Sequence, residues 1–193
     1  MRNLLGRSVI FSLVVALVLV VQPASARDDV TAIGIVAGIT KSGPDFADDG
    51  TTFGLRVSPS SGKRYGIEIA VGYLEGDLLS EDGSTELDLG YEAVYLDVNE
   101  TLFLNSAGKV RPVFTVGVGW AWPSLDRDVP AEELGPLYVQ FESDTFTVNS
   151  GFGLDFWLGK RVYMRPEVRA KWFEVRRRDD VDFAATVGLG FTF

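Results

Sequence analysis

The chain has 193 residues, contains neither cysteine nor histidine, and carries a formal net charge of −9. These features exclude disulfides, thiolate metal sites and cysteine nucleophiles, and they remove imidazole as a general base or metal ligand. The acidic balance also argues against nucleic-acid binding, because neutralising phosphates needs clustered Lys and Arg. We therefore expect no enzyme activity and no catalytic residue, cofactor or metal site.

The amino terminus carries the three parts of a secretory signal. Arg2 and Arg7 precede an apolar run over residues 9–21, and Pro23 and the small residues 24–26 follow it. The run is shorter than the roughly 20 residues that a spanning helix needs, so a cleaved signal is favoured over a membrane anchor. We predict a signal peptide at 1–26, export through the Sec pathway, and a mature domain at 27–193. Losing Arg2 and Arg7 takes the charge from −9 to −11.

The rest of the chain alternates apolar and polar residues with a period of two, which indicates β-strands near the length that crosses a bilayer. Short glycine-containing turns at 60–63, 105–109 and 159–160 alternate with longer connections at 41–50, 76–88, 123–143 and 176–180. A soluble sandwich has no reason to segregate its loops in this way. We predict an all-β fold, an eight-stranded antiparallel up-and-down transmembrane β-barrel with its short turns on the periplasmic side. The predicted strands are 29–40, 51–59, 64–75, 89–104, 110–122, 144–158, 161–175 and 181–193.

One face of each strand is large and apolar, and the other is small, polar or charged. Alternate positions that include Val116 and Leu154 form the apolar face, which we expect to meet lipid. Aromatic residues gather near both ends of this band, as at two membrane interfaces. The expected rims are Trp120, Trp122 and Trp172 on one side, and Tyr163, Phe191 and Phe193 on the other.

The same alternation directs nine charged side chains into the barrel. They are Arg56, Glu68, Asp97, Arg111, Asp155, Arg165, Glu167, Arg169 and Lys171. Five are basic and four acidic, so we expect paired charges that fill a lumen too narrow for a wide channel. The fourth strand leaves its register open, since Asp97 and Asn99 share a parity that Glu92 does not. Either a bulge intervenes or Glu92 lies above the membrane.

The longer connections hold most of the acidic residues. Segments 75–88 and 123–143 contain eleven Asp and Glu against Arg127 alone. They are either solvated loops that resist aggregation, or sites of divalent-cation bridging to lipopolysaccharide or of attraction for a basic partner. Three consecutive arginines at 176–178 either touch lipid phosphates or pair with Asp179 and Asp180.

Two segments together with the terminal strand resemble the eight-stranded outer membrane protein A/X superfamily of small porin-like barrels. The segments are Val110-Arg-Pro-Val-Phe-Thr-Val-Gly-Val-Gly-Trp120 and Arg165-Pro-Glu-Val-Arg169, and the strand ends at Phe193. The resemblance implies a Gram-negative outer-membrane location, contact with lipid and lipopolysaccharide, and a Phe193 read by the barrel-assembly machinery. Barrel enzymes of the lipid A deacylase and palmitoyltransferase types rely on a histidine, which is absent here. We expect a monomer with a structural or surface-interaction role, the alternative being a narrow passage for small solutes.

Overall fold

The computed structural model describes residues 31–41, 49–61, 64–79, 86–104, 108–125, 144–175 and 178–193. Each of its eight strands pairs antiparallel with its neighbours in chain order, and the sheet closes into a barrel. None of the residues in these ranges belongs to a helix long and apolar enough to cross a membrane. The strands are β1 (Ala32–Lys41), β2 (Gly50–Ser61), β3 (Tyr65–Leu79), β4 (Glu86–Phe103), β5 (Val110–Leu125), β6 (Thr145–Trp157), β7 (Val162–Val175) and β8 (Arg178–Thr192).

The first and last strands close the barrel. Their pairing is continuous from Ala32 opposite Thr192 to Lys41 opposite Phe183. The amide of Phe193 extends it by donating to the carbonyl of Thr31 at 3.0 Å. Closure removes the free edges that an open sheet would present. The predicted eight-stranded up-and-down barrel is confirmed.

The apolar face points outward, as the period-two alternation predicts. On β5, Val116 and Val118 are 46% and 48% exposed, whereas their neighbour Thr115 is 1% exposed. On β8 the odd-numbered residues from Phe183 to Phe193 are all exposed. An outward apolar face with a polar interior is the reverse of a soluble barrel and matches a barrel solvated by lipid.

One of the expected rim aromatics was assigned to the wrong face. Tyr163 is 4% exposed and lies inside the barrel, where its ring packs against Trp157 with 5.4 Å between centroids. The ring also covers Gly190, where any Cβ would overlap it. Tyr163 points inward because it shares the parity of Arg165 along the strand. This parity outweighs the preference of aromatic side chains for a membrane interface.

From Gly90 onwards the register of β4 is continuous across both of its neighbours, whereas its pairing with β3 shifts between Glu86 and Gly90. It pairs without interruption with β3 from Gly90 to Leu102 and with β5 from Tyr91 to Phe103. A bulge between Glu92 and Asp97 is therefore ruled out. Glu92 lies on the outward parity towards the long-loop end of the strand.

Several strands extend further towards the long connections than predicted. The third ends at Leu79 instead of 75, the fourth begins at Glu86 instead of 89, and the fifth ends at Leu125 instead of 122. The last begins at Arg178 instead of 181. Backbone pairing does not require apolar side chains, so these hairpins continue beyond the apolar band from which the ends were predicted.

Some predictions fall outside the described residues. They concern the signal peptide at 1–26, Arg176 and Arg177, and the acidic residues of 80–85 and 126–143. These remain predictions.

Candidate functional site

All nine charged residues predicted to face inward lie in the barrel interior. The seventh strand supplies four at alternate positions, and five other strands supply one each. Because these positions share one parity, their side chains converge on the lumen. The most exposed of the nine side chains, that of Arg111, is only 17% exposed.

Glu68 lies at the centre of the cluster and contacts three guanidinium groups. Its Oε2 lies 3.2 Å from Nε of Arg56 and 2.9 Å from Nη1 of Arg165. Its Oε1 lies 3.1 Å from Nη2 of Arg169 and accepts a hydrogen bond of 3.3 Å from Nδ2 of Asn99. The carboxylate therefore joins β2, β3, β4 and β7 across the lumen.

Glu167 contacts the same three arginines from the other side. Arg169 donates to its Oε1 through Nε at 2.8 Å, and Nη2 of Arg169 lies 2.6 Å from the same oxygen. Its Oε2 lies 3.2 Å from Nη1 of Arg56 and 3.8 Å from Nη1 of Arg165. Two carboxylates and three guanidiniums thus form a compact unit that carries a formal charge of +1.

The network continues towards the long-loop end through Asp97 and Lys171. The Lys171 ammonium donates to Oδ2 of Asp97 at 2.9 Å and lies 3.7 Å from the centre of the Tyr95 ring. Nη1 of Arg169 lies 3.7 Å from the same Asp97 oxygen. This carboxylate and this aromatic ring together compensate a lysine whose side chain is only 14% exposed.

Asp155 extends the network towards the short-turn end, where two arginines share it. Arg165 donates to both carboxylate oxygens, and Arg111 donates to Oδ2 through Nε at 3.1 Å and Nη2 at 2.8 Å. The guanidinium of Arg111 also lies 3.8 Å from the centre of the Phe103 ring. The charged chain thus runs along the lumen from Lys171 to Arg111.

The part of the wall formed by β4, β5 and β6 is polar but mostly uncharged. Five side chains there are at most 3% exposed, namely Asn99, Thr101, Thr115, Thr147 and Asn149. Each has at least one buried nitrogen or oxygen atom without a hydrogen-bond partner in the described part of the chain. Glycines keep this wall thin, since a Cβ at Gly117 or Gly119 would overlap the side chain of Asn99 or Asp97. The lumen therefore has a charged side and a neutral polar side.

Three supporting residues were not assigned a role from the sequence. Tyr95 lies under Lys171, Phe103 lies under Arg111, and Asn99 donates to Glu68. All three share the inward parity of Asp97 on β4. That parity was the available signal, but it does not say which charge each residue meets.

The chemistry of the cluster is that of a fixed ion-pair lattice. Its cations are mainly guanidiniums, which stay protonated in proteins and cannot act as bases. Among the residues whose placement is described, no group of three or more acidic side chains is arranged to hold a metal ion. The arrangement can fill and rigidify a narrow barrel.

Known structures share this architecture. Neisserial surface protein A, from Neisseria, superposes with a TM-score of 0.61 at 10% identity, over 85% of this chain and 97% of that chain. OprG from Pseudomonas aeruginosa gives 0.59 at 13% identity, over 86% and 97% of the two chains. Ail, the attachment invasion locus protein of Yersinia pestis, gives 0.55 at 14% identity, over 86% and 99%. At these identities the likeness concerns the fold alone. A comparison with curated protein sequences finds no match.

A family model described as the outer membrane protein beta-barrel domain matches residues 11–193. The match includes all eight strands and all nine charged lumen residues. The outward apolar face and the family match support a location in the outer membrane, in contact with its lipid. The chain belongs to the outer membrane protein β-barrel family.

Proposed function

We propose that this protein is a non-enzymatic, integral barrel of the Gram-negative outer membrane with a structural or surface-interaction role, its lumen closed by a charged network. One observation carries the proposal. Every carboxylate of the network contacts at least two cations, and the contacts join strands on opposite sides of the lumen.

The energetics of the network support a closed lumen. A solute that passed between Glu68 and Glu167 would have to separate arginines that each contact two carboxylates. Leaving one buried charge without its partner costs about 3–5 kcal/mol. An interior held by several such pairs is a rigid filling, and eight strands leave space for little besides side chains.

The membrane setting completes the proposal. The signal at 1–26 directs the chain through the Sec pathway, and the barrel-assembly machinery recognises the last strand through Phe193. The mature barrel is a monomer whose short turns face the periplasm and whose acidic long connections face lipopolysaccharide. In this setting the outer connections are the surface offered to partners.

The neutral polar wall favours a second candidate, a narrow passage for small solutes. Asn99, Thr115, Thr147 and Asn149 offer hydrogen-bonding groups that no described residue satisfies. Buried polar atoms of this kind commonly bind water. A continuous file of water along this wall would allow small polar solutes to pass beside the charged side of the lumen.

Conductance in a planar lipid bilayer separates the two functions. The closed barrel predicts absent or very small conductance for the wild-type protein. Glu167→Ala should then reduce stability, and Asp77→Ala, which removes an exposed carboxylate at the long-loop end of β3, serves as the control. A steady wild-type conductance whose selectivity shifts towards anions in Glu167→Ala alone would establish the passage and refute the closed lumen.

A further inference from the structure

The short-turn end of the barrel carries a basic cleft between two turns. The second turn connects β4 to β5 and the third connects β6 to β7, and the pairing of β5 with β6 makes them neighbours. We propose that this cleft binds the phosphate of an anionic phospholipid headgroup. The orientation of the cleft towards the inner leaflet rests on the proposed function.

The cleft has a defined wall and a volume of about 610 Å³. Backbone hydrogen bonds fix the described ends of the two turns, since the amide of Trp157 donates to the carbonyl of Lys109 at 2.9 Å and that of Leu158 to the carbonyl of Val162 at 3.0 Å. The glycine before Lys109 has a φ of 121°, which side-chain-bearing residues rarely adopt. The main lining residues are Gly108, Lys109, Arg111, Trp157, Leu158 and Lys160.

The charge of the cleft is positive and incompletely compensated. Lys109 and Lys160 are exposed, and no carboxylate within the described ranges forms an ion pair with either. Arg111 does have a partner, Asp155, but that single carboxylate also neutralises Arg165. Arg111 is thus the cation of the network nearest this mouth, and it lies beside two ammonium groups without an ion-pair partner among the described residues. A ligand with a phosphate group would supply the missing negative charge.

The same dipeptide recurs in all three short turns, as Gly62-Lys63, Gly108-Lys109 and Gly159-Lys160. A lysine after a glycine is thus repeated in each short turn of the sequence. In the cleft, two of the repeats meet above Arg111, so three cations converge on one volume. Convergent ammonium and guanidinium groups are the usual protein ligands of phosphate.

The surroundings favour a lipid phosphate over a dissolved one. Large apolar side chains at the same rim point outward, with Leu158 64%, Tyr65 61% and Phe193 67% exposed. Aromatic residues in such a position lie at the level of the lipid headgroups. The cleft beside them opens where phosphodiesters are concentrated, and the exposed Leu158 offers apolar contact to the acyl carbons.

Lipid retention measured by native mass spectrometry of the whole mature barrel tests the proposal. The barrel is extracted with phosphatidylglycerol or with phosphatidylcholine of the same acyl chains. Wild type should retain phosphatidylglycerol in preference to phosphatidylcholine. In the double variant Lys109→Ala/Lys160→Ala this preference should fall about 30-fold. The control Arg64→Ala/Arg161→Ala removes the same charge from the same rim, outside the cleft, and should retain most of it.

Three results would overturn the proposal. Equal losses in both double variants would mean diffuse attraction to the rim, and equal retention of the two lipids by wild type would mean no site. Displacement of phosphatidylglycerol by millimolar inorganic phosphate would identify a soluble anion as the ligand. Each variant is first checked for the gel-mobility shift on heating that marks a closed barrel. Failure of wild type to insert refutes the proposed function, whereas an inserted barrel without lipid preference refutes the cleft alone.

Discussion

Removing the central carboxylate should destabilise the barrel more than any other single change of charge. Glu68 contacts three guanidiniums at 2.9–3.2 Å, and Glu68→Gln keeps its shape while removing its charge. Five cations would then face three carboxylates, which raises the formal surplus of the network from +1 to +2. An uncompensated buried charge of this kind costs about 3–5 kcal/mol of unfolding free energy. Reversible guanidinium unfolding in lipid vesicles, followed by tryptophan fluorescence, measures the loss.

A matched control and a compensating variant separate electrostatics from packing. Asp77→Asn removes a carboxylate that is exposed at the long-loop end of β3, beyond the outward apolar band, and should change stability by no more than about 0.5 kcal/mol. Adding Arg56→Met to Glu68→Gln restores the original surplus of one, so the double variant should be more stable than the sum of the single losses predicts. Two results would refute the buried network as a source of stability. One is a loss of unfolding free energy below about 1 kcal/mol for Glu68→Gln, and the other is a double variant whose loss equals the sum of the two single losses.

Three further outcomes test the faces and the closure of the barrel. Val116→Arg places a charge on the lipid face and should cost roughly 2–4 kcal/mol of stability. Thr115→Arg points inward and should fail to assemble because it overpacks the lumen. Normal assembly of Val116→Arg in a pulse-chase would contradict the outward position of Val116. Deleting Phe193 should leave precursor in the periplasm, as immunoblotting of fractionated cells would show, and normal assembly would exclude an essential terminal signal. Gly190→Leu would collide with the Tyr163 ring and should abolish the heat-dependent gel shift, so a folded variant would contradict the inward position of Tyr163.

The sequence was sufficient for the faces and the strand count because both follow from a period of two. On β5 and β8 every predicted outward residue lies outward, and the nine charged residues all lie inside. A one-residue error in the alternation would have exchanged the inward and outward residues of a whole strand, so parity is a strong constraint on which face each residue occupies. The predicted strand ends were less accurate. Near Leu79 and Leu125 the backbone pairing continues beyond the apolar alternation from which the ends were predicted.

The failure at Tyr163 shows where two sequence signals conflict. Its position near the short turn suggests an aromatic girdle, whereas its parity with Arg165 places it inside. The backbone decides in favour of parity because consecutive side chains of a strand must point to opposite faces. A ring can occupy that interior position because Gly190 directly opposite has no side chain.

The sequence by itself determined that a barrel closes, which face meets lipid, and that charges of nearly equal number share its lumen. Only the tertiary structure decided which charges meet. Glu68 pairs with Arg165 and Arg169 across separations of 97 and 101 residues, and Asp155 is shared by two arginines while Lys171 lies on Tyr95. The stagger of neighbouring strands and the choice of side-chain rotamers bring such atoms together, and alternation along a single strand carries information about neither.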